Sequence, residues 1–285
     1  MINRRMKLKE VFEDTQRFLS EDPLLKEAVE NSIRGTRIYT PDTKALPYER
    51  YDGQIRVTGQ RSFEAAVLLH AEFPDRRIAV LNFASATNPG GGVTRGASAQ
   101  EECLCRCSTL YPVLATRELC LEYYYVNRKM NNLHDDTCIY TPDIVICKTD
   151  EDIPKRLGSG SFVRVDVISC AAPNLRDVPS NIYNAEGGDV VRITADELYD
   201  LHIRRAENIL NTAVINKDEI IVLGAFGCGA FSNDPSTVAA AYRDVMKKYR
   251  HAFEAAVFAV YCKDRETENY RQFYKAMNDA GLLSC

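Results

Sequence analysis

No apolar run in this chain of 285 residues approaches the roughly 20 residues of a membrane span, so no transmembrane helix is expected. The start, Met1 to Lys7, enters a charged amphipathic pattern in place of an apolar signal core, which argues against export and for a cytoplasmic address. A basic excess is missing too. The net charge of −4 speaks against direct DNA binding, although it leaves room for a local anion site. Neither Cys-x-x-Cys nor His-x-x-x-His occurs, and the close set Cys103, Cys105 and Cys107 points its thiols to different faces of a helix. No metal is expected, and the ten cysteines read as reduced thiols. A Gly-Lys-Ser/Thr phosphate loop is absent, as are internal repeats and low-complexity segments. What remains is an ordinary globular composition, 45% hydrophobic and 27% charged, in a chain long enough to bury a substantial core.

Two apolar patterns at helical spacing lead the chain. Leu8, Val11, Phe12, Phe18 and Leu19 predict a helix near residues 5–20. Asp22-Pro23 then supplies an N-cap and a first-turn proline for a helix ending near Gly35. Residues 1–50 read as a helical accessory segment packed on a main domain, residues 51–285. There strands and helices alternate. Strands are expected at Ile55–Thr58, Ile78–Phe83, Thr137–Tyr140, Ile144–Lys148, Phe162–Cys170, Ile220–Leu223 and Ala255–Val260. Helical patterns lie at Phe63–Glu72, from Glu101, at Leu114–Val126, from Thr194 with Glu197 completing a capping box, from Asp234-Pro235, and around Tyr270–Met277. Residues 174–189 read as loop. Such alternation argues for an α/β fold with helices on both faces of a mixed sheet and ligands at loops beyond the strand ends.

Two of those loops are rich in glycine. The first follows Ile78–Phe83 and runs Asn88-Pro-Gly90-Gly91-Gly92, then seven residues, then Gln100-Glu101-Glu102 at the start of a helix. Three adjacent glycines give up chain entropy and suit a backbone pressed against a ligand, although a plain surface turn is the competing reading. For the two acids, capping of the helix competes with chemistry. The second loop follows Ile220–Leu223 and runs Gly224-Ala-Phe226-Gly227-Cys228-Gly229-Ala230-Phe231, ahead of a helix. Converging amides and a helix N-terminus suit a diphosphate, with a tight strand-to-helix turn as the alternative. A dinucleotide-binding Rossmann unit fits poorly. Only Gly-x-Gly-x-x-Ser is present, and too little chain follows to complete a sheet.

Gly90-Gly91-Gly92 with Gln100-Glu101-Glu102 seven residues on resembles the catalytic signature of poly(ADP-ribose) glycohydrolases of the compact bacterial type, built on a macrodomain. The resemblance implies a macrodomain-like three-layer α/β/α sandwich with an N-terminal helical extension. It implies cleavage of ribose–ribose O-glycosidic bonds in poly(ADP-ribose), mainly from the free end, with ADP-ribose as product and no cofactor. Glu102 would be the general acid and base, and Glu101 would hold ribose hydroxyls. Asn88 and Gly90–Gly92 would meet the distal ribose, and Gln100 would orient either the loop or that ribose. Gly227, Cys228, Gly229 and Ala230 would wrap the diphosphate, and Phe231 would hold the terminal ribose, with Phe226 as core. Ala171-Ala-Pro-Asn174 would edge the nucleoside pocket or form a plain turn. A non-catalytic ADP-ribose reader, or a hydrolase of other ADP-ribosylated proteins, stays open beside the glycohydrolase. The paired acids favour catalysis, because a reader has no use for them.

Overall fold

The fold is described from a computed structural model covering residues 2–42, 45, 49–179, 188–263 and 265–284, with the side chains from residue 4 onward. Residues 180–187 of the expected loop lie outside the described residues. Seven strands form one mixed sheet: β1 (Arg37–Tyr39), β2 (Gln54–Thr58), β3 (Ile78–Ala84), β4 (Cys138–Ile146), β5 (Val163–Ala171), β6 (Ile220–Leu223) and β7 (Ala255–Ala259). Their order is β1-β4-β5-β3-β6-β7-β2, parallel from β5 through β2 and antiparallel at β1 and β4.

The period of two along each buried strand divides its side chains between two cores. Ala79, Leu81, Ile221 and Leu223 face one. Ile78, Val80, Ile220 and Val222 face the other. The first core is closed by α8 (Ala195–Ile215), α9 (Pro235–Tyr249) and α10 (Glu268–Asp279), through residues such as Ile209, Tyr242 and Phe273. The second is closed by α3 (Ser62–Glu72), α4 (Gln100–Cys107) and α5 (Leu110–Leu114), through Phe63, Leu104 and Val113. Helix, sheet and helix layers result, as in a macrodomain-like sandwich.

Local chemistry sets the helix starts as expected. Asp22 accepts from the amides of Leu24 and Leu25 at 2.9 and 3.2 Å, ahead of Pro23, and opens α2 (Pro23–Gly35). Thr194 and Glu197 exchange capping bonds at the start of α8. Three expectations change. Residues 37–39, inside the proposed accessory segment, pair with β4 as an edge strand of the common sheet. The two strands expected at 137–140 and 144–148 are one strand, β4, because both halves pair with β5 on either side of a bulge between Thr141 and Ile144. Asp143 takes φ 56° there, and its amide is held by Asp166 at 2.9 Å, so the turn residues kink the strand without ending it. The helical pattern of 114–126 breaks after Leu114 and resumes as α6 (Arg117–Leu119), one π turn (Cys120–Tyr124) and α7 (Tyr125–Asn127).

The first helix, α1 (Ile2–Glu21), is pinned by charge as well as by its apolar face. Asp14 accepts from the buried Lys148 ammonium at 2.8 Å and from Arg156 at 2.6 and 3.0 Å. The Arg156 hydrogen bonds, helped by Lys148, hold its carboxyl well below the ordinary value of 3.8. A depressed pKa adds stability above the unfolded value that is lost only as pH falls through the folded one. Asp14→Asn is therefore expected to destabilise by about 3 kcal/mol near neutral pH, because Lys148 stays buried without its anion. Denaturant melts should show the gap from wild type narrowing progressively as pH falls from about 4, where the unfolded chain binds the proton, toward the much lower folded value, where the native carboxyl loses its charge too.

Candidate active site

Loops at the C-terminal ends of β3, β5, β6, β7 and β2 surround a cleft of about 570 Å³. The glycine run is its floor under the acids. Gly90 and Gly91 have φ 64° and 57°, a region that glycine enters without the Cβ penalty. A Cβ on Gly91 would stand 2.6 Å from Glu102 Oε1 and 3.1 Å from Glu101 Oε2. Both carboxyl groups therefore converge on one bare backbone position. A Cβ on Gly90 would strike Tyr111 at 2.7 Å, so that glycine serves packing.

Neither acid caps its helix. Ala99 is the N-cap of α4, and the carboxyl groups reach across to the glycine loop. Glu102 Oε1 accepts the Gly92 amide at 2.8 Å, while its Oε2 is buried without a protein partner. Glu101 Oε2 accepts the Ser85 amide at 2.7 Å, and Oε1 receives a longer bond of 3.4 Å from Asn82. Glu101 is 3% exposed and Glu102 7%. Burial, reinforced by the charge of Glu102, pushes the Glu101 carboxyl well above its ordinary range despite these donors.

Gln100 is engaged entirely by protein. Its oxygen takes the Phe83 amide at 2.9 Å, and its nitrogen donates to Leu81 O at 2.8 Å and Ser62 Oγ at 3.0 Å. The β3–β6 register stops at Val80, and Gln100 binds the β3 backbone just beyond that point. It thereby fixes the start of α4 against the sheet. Asn88 borders the cleft, its side chain bonded to Thr87 and approached by Arg128.

The second loop is stapled from behind. Asn233 donates to Pro173 O at 2.7 Å and Phe231 O at 3.1 Å, and its oxygen meets His202 Nε2 at 2.8 Å. That oxygen can only accept, so Nε2 carries the proton. Burial lowers the His202 pKa to about 4, which keeps the ring neutral. Gly227, at φ 79°, is required by this staple, since a Cβ would come within 2.9 Å of Asn233. Gly229 has open space instead, with nothing within 4 Å of its would-be Cβ. The amides of Gly229, Ala230 and Phe231 have no acceptor among the described residues. Cys228 turns inward toward Phe226 O at 3.7 Å, and burial raises its thiol pKa. Phe226 is core, packed on Phe83 and His202, whereas Phe231 faces the cleft.

With this geometry in place, comparisons with known proteins bear on the chain. Residues 14–149 match the family described as microbial-type PARG, catalytic domain. Poly(ADP-ribose) glycohydrolase from Deinococcus radiodurans in complex with ADP-ribose is 32% identical, with a TM-score of 0.75, covering 88% of this chain and 97% of its own. The chain belongs to the microbial-type poly(ADP-ribose) glycohydrolase family. The glycohydrolase from Thermomonospora curvata bound to the inhibitor ADP-HPD is 29% identical, with a TM-score of 0.77, covering 96% and 99% of the two chains. Comparison with curated proteins finds no match.

Several residues of this glycohydrolase cleft carried no signal in the sequence. Arg176 lies 5.6 Å from the Phe231 ring and is held by Asn174 Oδ1 at 3.0 Å. Asn174 thus acts behind the wall, and Ala172 is the residue of its segment that borders the cleft. At the β7 end, Arg61 sits 4.2 Å over the Tyr261 ring. Asp152 there gathers Arg61 at 2.5 Å, Lys263 at 3.2 Å and Arg4 at 3.6 Å. Isolated charges on four separate segments form no motif, which is why only folding brings them together.

Proposed function

We propose that this chain hydrolyses the ribose–ribose O-glycosidic bond of poly(ADP-ribose) and releases ADP-ribose. The observation that carries the reading is the pair of buried acids converging on Gly91, one of them with an uncommitted oxygen. Glycoside cleavage needs a proton for the leaving ribose oxygen as positive charge grows on the anomeric carbon. Glu102 is suited to supply it, because the Gly92 amide fixes Oε1 while Oε2 remains to hand over a proton and then take one from water. Glu101 is adjacent in sequence and on the same side of the sugar, so it does not act as the opposed carboxylate of an ordinary glycosidase pair. Its carboxyl group, oriented by the Ser85 amide and Asn82, suits the ribose hydroxyls.

The exposed amides of Gly229 and Ala230, with that of Phe231, suit the diphosphate, and the Phe231 ring suits the adjoining ribose. Asn88 and the bare Gly91 leave room for the distal ribose. Gln100 orients the loop. Arg61, Tyr261 and Asn269 are the groups available to the adenosine at the β7 end. The ion cluster on Asp152 ties α1 to three loops at that end, and a wall built there would leave no path for a continuing chain, as an exo-acting site requires. Residues 1–50 would then be an accessory segment of the 51–285 catalytic domain, contributing Arg4 to that wall. The nine described cysteines are all free thiols, which suits work in the cytoplasm on polymer or ADP-ribosylated proteins. Among the described residues, no helix is long and apolar enough to cross a membrane.

Poly(ADP-ribose) and mono-ADP-ribosylated protein, incubated in parallel, test the reading. Free ADP-ribose should appear from polymer, alone at early times. Multi-unit oligomers as primary products would overturn exo action. A protein that binds ADP-ribose but releases none from either substrate would be a reader.

A further inference from the structure

The segment α6 to α7 and the residues after it present an apolar and basic surface that the cleft does not use. Tyr123 and Tyr124 are buried, while Leu121 is 55% exposed and Tyr125 52%, with Val126 and Met130 exposed beside them. Lys129 lies 4.5 Å from the Tyr125 ring. Arg128 Nε donates to Thr87 O at 2.9 Å, and its guanidinium reaches Asn88 Oδ1 at 3.4 Å. Asn88 in turn accepts the Gly91 amide at 3.0 Å, so this surface is bolted to the loop beneath the two acids. Glu101 also raises the phenol pKa of Tyr124, behind burial as the larger cause, which places this segment within electrostatic reach of the site.

Sheet order gives the direction. Apart from Ala172 and Arg176 after β5, the cleft extends from the acids toward the loops after β6, β7 and β2. The segment carrying Tyr125 leads into β4, on the opposite side of β3. An ADP-ribosyl unit filling the cleft must expel its leaving group past Asn88. In poly(ADP-ribose) that leaving group is a ribose bearing adenine and another diphosphate. We propose that the surface formed by Leu121, Tyr125, Arg128 and Lys129 is a subsite for the penultimate ADP-ribose unit. Its adenine stacks on Tyr125, and its diphosphate meets Arg128 and Lys129. An exposed aromatic beside cations is the arrangement that holds single nucleotide units without reading a sequence. Glu118 and Glu122 flank Leu121, whereas the cations Arg128 and Lys129 follow Tyr125 at the end of the segment that reaches Asn88. The proposal rests on the glycohydrolase reading and makes it specific, since it predicts a preference for polymer over conjugates with a small leaving group.

The test compares wild type, Tyr125→Ala and Lys129→Glu on poly(ADP-ribose) and on an aryl O-glycoside of ADP-ribose, with calorimetry of ADP-ribose binding. Tyr125→Ala should lose about tenfold in kcat/KM on polymer, mainly through KM, the weight of one base stack. Its rate on the aryl glycoside and its ADP-ribose affinity should stay within about twofold of wild type, a change below one stacking contact. Lys129→Glu should weaken the salt dependence of KM on polymer. Equal losses on both substrates, or polymer kcat/KM within about twofold of wild type for both variants, would overturn the subsite. Wild type releasing no ADP-ribose from polymer would instead overturn the reading beneath it.

Discussion

Glu102→Gln is expected to lose about 10²–10⁴-fold in kcat on poly(ADP-ribose), the usual worth of a general acid. It should still bind ADP-ribose with unchanged affinity. The amide oxygen can keep the Gly92 hydrogen bond that Glu102 Oε1 makes, so side-chain position survives while the transferable proton is gone. A sole acid that also activates water belongs at the upper end of that range. Single-turnover assays with calorimetry in parallel separate the two effects. A rate within about threefold of wild type, only about 0.65 kcal/mol of barrier, would remove Glu102 from the role.

Glu101→Gln makes an instructive contrast. Burial raises the Glu101 carboxyl pKa, so ionising it costs folding free energy as pH climbs from the unfolded toward the folded value. A neutral amide escapes that cost. The variant should melt above wild type at pH values beyond the unfolded pKa, with kcat and KM both impaired through looser ribose positioning.

Gly229→Val is expected to weaken ADP-ribose binding by at least about 100-fold with the fold intact, the loss of roughly two hydrogen bonds to a charged group. The reason lies in the difference between the two glycines of the loop. Gly227 has positive φ and a neighbour at 2.8 Å, so a side chain there would damage the protein. Gly229 has neither constraint, and its side of the loop opens into the cleft beside the amides of Ala230 and Phe231. A valine there occupies ligand space alone. Calorimetry with a thermal melt decides it: unchanged affinity in a folded variant would reduce the loop to a strand-to-helix turn.

Much of the architecture was legible because it rests on short-range chemistry. Short apolar runs predicted β3, β6 and β7, and alternation predicted β5, nearly to the residue, and Asp22-Pro23 and Thr194 with Glu197 marked helix starts that form by local hydrogen bonds. The glycine run with two acids seven residues on was visible for the same reason, since a strand, its loop and the next helix are contiguous in the chain. Pairings between distant segments were not. Strand β1 is three residues long and exists through its partner, with Arg37 opposite Tyr140. The Thr141-Pro142-Asp143 stretch looks like a turn until β5 pairs with both of its flanks. Nor could periodicity say that Gln100 would be consumed by the β3 backbone, that Asp152 would gather cations from three other segments, or that the acids would meet amides of the glycine loop instead of capping α4. Each of those contacts joins groups whose separation is set by the packing of whole layers, and the burial that shifts the Glu101 carboxyl arises only once those layers close.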